Sequence, residues 1–287
     1  MPVDHDDSEF TELEEALTEA FCAITALPRL ERVELNFWPS FVSSSGKEIQ
    51  ETPFWFTSLQ LTILHAIHHS MKTSRMASLS LNNVVMMPAP CYDFISSVTS
   101  SPLSHLSLSV VSNAEISGWT GSKEINGSLG ALLPPSNSSL TSLVLHSPQG
   151  PYHSLKTQLS SFHYPSLTRL VLGNIIFDQT PSTDGVEAFI LRHKDSLRRL
   201  ELRSCACHVT GSAIDARRWS NIWQQWTTEL TALEELIVDG DSQGYVMLDA
   251  DRGYVSLKPI DTVTAEDDSS SLGMFQDAVT ARKAMVM

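Results

Sequence analysis

The chain has 287 residues, is 42% hydrophobic and 18% charged, and carries a formal net charge of -14. This hydrophobic content suffices for a large core and excludes wholesale disorder. The acidity argues against nucleic acid and against an anionic membrane surface as partners, because both are bound through basic faces. Leu and Ser together make up about a quarter of the chain, an unusual joint enrichment.

The N-terminal segment and the cysteines predict the cellular compartment. Residues 1–7 are acidic with no apolar run after them, so we expect no signal peptide. No stretch reaches the ~18 apolar residues of a membrane span. Four cysteines are too few for a disulfide scaffold. A cytoplasmic or nuclear location is therefore predicted.

An L-x-x-L-x-L pattern, in which L stands for any aliphatic residue, recurs seven times along the chain. The aliphatic positions, called anchors below, are Leu30, Val33, Leu35; Met76, Leu79, Leu81; Leu103, Leu106, Leu108; Leu140, Leu143, Leu145; Leu167, Leu170, Leu172; Leu197, Leu200, Leu202; and Leu233, Leu236, Val238. Their last anchors lie 46, 27, 37, 27, 30 and 36 residues apart. Leucine-rich repeats run about 20–29 residues, so the repeats are irregular.

The spacing L-x-L places two side chains on one side of a short strand. One such unit cannot close a core, but stacked units bury a continuous apolar column. We therefore predict an α/β leucine-rich-repeat solenoid over residues 1–240, with parallel strands on its concave face and helices on its convex face. An N-terminal helix is expected to cap it.

Helices are predicted around and between these strands from apolar spacing of three and four residues. They cover about 10–27, 58–71, 155–162, a segment opening with Asp184 and Glu187 as in a capping box, and 213–231, expected to be the longest. The segments 43–46, 112–139 and 146–153 are Ser-, Gly- or Pro-rich and predicted to be loops.

The tail, residues 241–287, is predicted to form a C-terminal cap. Residues 245–248 and 254–257 are typical of two strands around a tight turn. The acidic and Ser-rich segment 266–271 follows, and a final helix then carries Leu272, Phe275 and Val279. Such a cap hides the open end of a stacked core.

The stretch 187–202, EAFILRHKDSLRRLEL, resembles the repeat of F-box-type leucine-rich-repeat proteins of mushroom-forming fungi. In those proteins a helix ending in a His leads into a strand, as His193 and the anchors Leu197, Leu200 and Leu202 would here. The starts of the strands at 165–172 and 232–236 are similar, and the resemblance covers roughly residues 10–240.

The resemblance implies the substrate-recognition subunit of a cullin-type ubiquitin ligase, with repeats that hold the substrate. An F-box opens with a Leu-Pro pair ahead of the repeats, whereas Leu27-Pro28 lies at the start of a repeat. A ligase adaptor is therefore expected as a partner only if an F-box exists outside this chain.

Two groups of His and Cys residues could in principle bind a metal ion, but their spacing favours other roles. His65, His68 and His69 form H-x-x-H-H on one helix, without the Glu of H-E-x-x-H, and are predicted to face solvent. Cys205, Cys207 and His208 lack the paired C-x-x-C of structural zinc sites, so core packing is favoured. We predict no metal site and no cofactor.

Aromatic and glycine motifs likewise predict structure rather than chemistry. Trp219, Trp223 and Trp226 are spaced as a buried helix stripe, although Arg217 and Arg218 beside them suggest a base-stacking surface. Residues 118–123 lack the spacing of a phosphate-binding loop. No G-x-S-x-G motif or recognisable acid–base pair is present, so the chain is not expected to be an enzyme.

The outward strand positions that flank the anchors are predicted to bind a protein partner on the concave face. They are Ser80, Asn82, Ser107, Ser109, His146, Arg169, Arg199, Glu201, Arg203, Glu235 and Asp239, with Val144, Val171 and Ile237 among them. Their character changes along the row from hydroxylic to charged. The alternatives are an enzyme regulator built on such repeats, for example a GTPase activator, and a degenerate member without a dedicated partner.

Overall fold

The structure is a computed structural model that describes residues 7–25, 27, 29–37, 54–71, 76–85, 103–111, 133, 136–147, 159, 162–177, 185–209, 217–239, 244–249, 253–257 and 262–286. The predicted helix around 155–162 and the predicted loops lie wholly or largely outside these residues. No helix in the described part of the chain is long and apolar enough to cross a membrane.

The described chain is an α/β fold with five helices and eleven strands. The helices are α1 (Asp7–Thr25), α2 (Phe54–Met71), α3 (Val186–Arg192), α4 (Trp219–Glu229) and α5 (Thr262–Val286). The strands are β1 (Arg32–Asn36), β2 (Ser78–Val85), β3 (His105–Val111), β4 (Ser142–His146), β5 (Arg169–Gly173), β6 (Ile176–Phe177), β7 (Arg199–Arg203), β8 (Ala206–His208), β9 (Glu235–Val238), β10 (Gly244–Asp249) and β11 (Gly253–Leu257).

All seven predicted strands are present, and they form one parallel sheet in chain order, β1-β2-β3-β4-β5-β7-β9. The anchors pair with each other across the whole sheet. Leu79, for example, lies opposite Val33 on one side and Leu106 on the other. The anchors therefore share one face, because strand side chains alternate with a period of two.

The anchor face forms one core with the helices. The anchors of β2 to β7 are almost completely buried and share a cluster with Leu64 and Ile67 of α2, Phe189 of α3 and the tryptophans of α4. Val33 and Leu35 of β1, at the sheet edge, are only partly buried. The helices therefore lie on the anchor side of the sheet.

A ladder of hydrogen bonds joins the residues that precede the strands. The carbonyl of Thr141, before β4, accepts the N–H groups of both Thr168 and Arg169, each at 2.9 Å. The same double acceptance recurs at Glu31, Ala77, Ser104, Thr168 and Arg198. Hydroxyl groups add a parallel chain of bonds, from Ser104 to Ala77, Thr141 to Ser104 and Thr168 to Thr141. Adjacent strands thus enter the sheet in the same way.

Left-handed residues lie two positions after the last anchor of three strands, within β2 and directly after β5 and β7. Asn83, Asn174 and Ser204 have φ of 59°, 55° and 49°. The Asn83 amide donates to the Phe37 carbonyl, and the Asn174 amide donates to the Ser147 carbonyl, in each case on the neighbouring strand's continuation. Asparagine tolerates this conformation better than most residues and satisfies a free carbonyl there.

A second, four-stranded sheet of order β11-β10-β8-β6 was not expected from the sequence. β6 and β8 each follow a left-handed residue closely and pair in parallel with one another, and β10 continues the sheet in parallel with β8. The predicted pair β10 and β11 is antiparallel, as a hairpin requires. The two tail strands therefore pair with each other and extend a sheet whose other strands, β6 and β8, lie between β5 and β9 in the chain.

Three helix boundaries differ from those predicted. The N-cap of α3 is Gly185, without a side-chain cap, and Glu187 points instead to Arg217. The tryptophan helix α4 begins at Trp219 and is not the longest, since α5 has 25 residues. The acidic segment 266–271 is helical and belongs to α5. Long-range contacts, which local periodicity does not report, decide these boundaries.

Candidate functional site

The sheet face opposite the anchors, here called the outer face, carries three rows of side chains. One residue per strand contributes to each row, as the pairing of β4, β5 and β7 shows: Ser142, Arg169, Arg199; Val144, Val171, Glu201; and His146, Gly173, Arg203. The predicted binding residues all fall on these rows or directly after β9. The structure thus brings together residues that are up to about 160 positions apart in the chain.

Burial divides the predicted residues into two groups. Ser80, Ser109 and Glu201 are only 7%, 8% and 5% exposed, although they lie on the outer face. Asn82, Ser107, His146, Arg169, Arg199 and Glu235 are half-buried, and Arg203 is exposed. Asp239 is half-buried, and its carboxylate accepts the N–H of Ser204 at 2.9 Å. The three buried residues are consequently less accessible to a partner, and the Asp239 carboxylate is already engaged by Ser204.

Glu201 is the centre of a cluster of charges on β5, β7 and β9. The Nε of Arg203 donates to Glu201 Oε1 at 2.7 Å. Arg169 and Arg199 bring Nη2 atoms to 3.7 and 3.6 Å from Oε2. Arg199 also donates to Glu235 Oε2 at 3.0 Å. Three guanidinium groups therefore share one buried carboxylate, and the cluster of these five side chains keeps a net positive charge of one.

A cavity of about 400 Å³ lies on the outer face towards the carboxyl ends of the strands. Its lining is Asn36, Asn82, Asn83, Ser107, Ser109, Val144, His146, Val171, Gly173 and Arg203. Such a volume lies within the range of ligand sites, about 300–1,000 Å³. Five of the eleven predicted residues line this cavity.

His146, Gly173 and Arg203 form the β4–β7 end of the cavity. A Cβ atom on Gly173 would collide with the His146 ring, so the absence of a side chain at Gly173 makes room for that ring. Burial, and secondarily the charge of Arg203, lowers the pKa of His146 below its usual 6.5. His146 is thus neutral at pH 7, and Arg203 supplies the charge at this end.

Sequence reasoning missed Glu34, Asn36, Asn83 and Gly173. The alternation that selected the outer positions of the other strands applies equally to β1 and would have found the first two. Asn82 Nδ2 donates to Asn36 Oδ1 at 2.5 Å and to Glu34 Oε1 at 3.2 Å, so β1 belongs to the same surface. Asn83 lies at an irregularity between Leu81 and Val84 that breaks the alternation.

The cysteine and histidine groups take structural places where they are described. Cys205 and Cys207 belong to the core, and burial raises the pKa of the Cys205 thiol to about 12 and that of Cys207 well above its usual value. The side chains of His68 and His69 lie outside the described residues. Within the described part, no three His, Cys, Asp or Glu residues are grouped as metal ligands would be.

The tryptophans are confirmed as core residues. Trp219, Trp223 and Trp226 are fully buried and contact Phe177 and Phe275. Arg217 donates to Glu187 and Gln225, so its charge is already paired. These residues form no surface on which bases stack.

Comparisons of the chain with protein-family models, with curated proteins and with solved structures found no match.

Proposed function

We propose that this chain is a leucine-rich-repeat solenoid that binds a protein partner on the outer face of its parallel sheet. The observation that carries the proposal is the sheet of seven parallel strands in chain order, with the anchors on one face and rows of polar side chains on the other. A repeat architecture of this kind exposes one continuous surface to a partner.

Three repeated contacts support the solenoid. The double hydrogen bonds before the strands, the chain of hydroxyl bonds from Thr168 to Ala77, and the asparagine bonds at the strand ends each join one repeat to the next. A structure in which each unit contacts chiefly its neighbours is what stacking of repeats produces. The partial burial of Val33 in β1 fits a terminal unit.

The composition of the outer face supports a protein partner. It combines the charge cluster around Glu201, the exposed apolar Ile237 and a cavity lined by amide and hydroxyl groups. Protein interfaces combine apolar contacts with hydrogen bonds in this way. The similarity to mushroom-type F-box-like proteins extends the proposal to substrate recognition in a ubiquitin ligase, which co-purification with a ligase adaptor and a cullin would test.

Site-specific photo-cross-linking tests the proposed surface. A photoreactive residue at His105 or Ile237 probes the outer face without entering the cavity, and one at Asn221 or Asp277 probes exposed positions of α4 and α5 as matched controls. We expect the same protein to be captured from both outer positions and from neither control. It should also co-purify with the unmodified chain. Capture from the helix positions alone would contradict the proposal, and a captured GTPase would favour the regulator alternative.

A further inference from the structure

The cavity of the outer face extends across the strands. It is lined from Asn36 on β1 to Arg203 on β7, and these residues lie five strand spacings apart. At about 4.8 Å per spacing this is about 24 Å. A volume of about 400 Å³ over that length describes a narrow trough rather than a round pocket. At roughly 3.4 Å per residue, an extended peptide of about seven residues has this length.

The two ends of the trough differ in charge. Among the described residues that line it, only Arg203 carries a full charge at neutral pH. At the other end, Asn36 and Asn82 border Glu34, whose carboxylate accepts the Asn82 amide. The Glu34 carboxylate is itself paired with Arg32 at 2.8 Å. A peptide acid group is therefore attracted at the β7 end, whereas the described lining offers it no cation at the β1 end.

Arg203 keeps donors for a ligand although it contacts Glu201. Its Nε and Nη2 atoms donate to Glu201 Oε1, and in the described part of the chain no partner contacts Nη1. Its side chain is 58% exposed. Glu201 is shared with Arg169 and Arg199, so it does not cancel the charge of Arg203 by itself.

We propose that the trough holds an extended peptide segment of the partner, with an Asp or Glu carboxylate of that segment bound by Arg203 beside His146. This deepens the proposed function and rests on it. A carboxylate suits the site because one guanidinium group binds it with paired hydrogen bonds. A phosphate ester carries nearly two negative charges and would need a second cation, which the described lining does not provide.

NMR titration of the full chain with blocked heptapeptides tests this assignment. Each peptide consists of Ser and Ala and carries one test residue, which is Glu, Gln or phosphoserine. The test residue stands at the N-terminal end in one set of peptides and at the C-terminal end in the other. We expect the Glu peptide to shift the ring signals of His146 and the side-chain signals of Arg203 saturably. The Gln peptide should bind at least about tenfold more weakly than the Glu peptide, since it lacks the charge-assisted bond.

Two variants and a matched control complete the experiment. Arg203→Gln should abolish the preference for Glu, whereas Arg198→Gln, which removes the same charge at the other end of the strand, should retain it. Because Arg203→Gln also removes a contact of Glu201, a second variant leaves that contact in place. Ser107→Phe fills the trough without changing its charge and should abolish peptide binding.

Several results would overturn the assignment: equal affinity for Glu and Gln peptides, Glu preference that survives Arg203→Gln, tighter binding of the phosphoserine peptide, or no shift with any peptide. In each case the cross-linking of a partner at His105 and Ile237 would still decide the proposed function separately.

Discussion

The carboxylate of Asp268 accepts the backbone N–H of Ser220 at 2.7 Å, although the two residues are 48 positions apart. Ser220 is in the first turn of α4, and Asp268 lies in the acidic and Ser-rich segment 266–271 of α5. The other oxygen of Asp268 accepts the hydroxyl of Tyr245. At the opposite end of α4, Arg282 donates to the carbonyls of Thr227 and Leu230. Helix α5 thus places a negative charge at the N-terminus and a positive charge at the C-terminus of α4, which complements its dipole.

Replacement of Asp268 by Asn should lower the free energy of unfolding by about 1–3 kcal/mol. The change removes a charge that satisfies an N-terminal N–H of α4 and the buried hydroxyl of Tyr245. Urea unfolding followed by circular dichroism measures the loss. Asp267→Asn is the matched control, because Asp267 is exposed on the same helix, and an equal loss in both variants would contradict the capping role.

His193 should make the protein less stable as the pH falls from about 6.5 to about 4. Burial in the core lowers the pKa of His193 to about 4, although the contact of Nδ1 with the Phe189 carbonyl opposes this shift. The Nε2 atom accepts the N–H of Tyr164, which only the neutral ring can do. The unfolded chain binds a proton near pH 6.5 and the folded chain only near pH 4, so stability is full above pH 6.5 and is lost between these values.

The expected loss is about 3 kcal/mol, as the size of the pKa shift implies. Urea unfolding at a series of pH values measures it. In His193→Asn the number of protons taken up on unfolding in this pH range should decrease by about one. In His105→Asn, which alters an exposed ring on β3, it should stay close to that of the unaltered chain. An unchanged slope in His193→Asn would refute the assignment.

Replacement of Glu201 by Gln should destabilise the protein by about 1–3 kcal/mol. It leaves Arg169, Arg199 and Arg203 around a neutral side chain in a largely buried place, so their repulsion is no longer compensated. Glu235→Gln is the control, because Glu235 is 39% exposed and contacts Arg199 alone among these arginines. Its effect should stay below about 1 kcal/mol. Thermal unfolding compares the two, and equal losses would contradict the central role of Glu201.

Two substitutions at Asn174 separate its backbone from its side-chain contribution. Asn174→Gly keeps a residue that accepts φ of 55° but loses the bond to the Ser147 carbonyl. Asn174→Ala loses both and should cost about 1 kcal/mol more than Asn174→Gly. Urea unfolding provides both values. If the Ala variant were as stable as the Gly variant, the left-handed backbone at this position would not contribute.

The sequence itself determined the strands and their order. The anchors repeat at L-x-x-L-x-L, and since L-x-L places both side chains on one side of a strand, all seven strands and the outer positions such as Asn82 and Arg203 followed from local spacing. The tryptophans at 219, 223 and 226 predicted a buried helix face for the same reason. The sequence pattern agrees with the observed register of the strands, because neighbouring strands bury equivalent positions.

Only the tertiary structure decided what the sheet faces contain and how the tail is attached. The burial of Glu201 depends on arginines from the same and a neighbouring strand, and the trough depends on the absence of a side chain at Gly173 beside His146. The second sheet pairs β8 with a strand from the tail. Asp268 of α5 caps α4 although it lies 48 positions from Ser220 in the chain. Such contacts join residues far apart in the chain, so the local spacing of residue types does not reveal them.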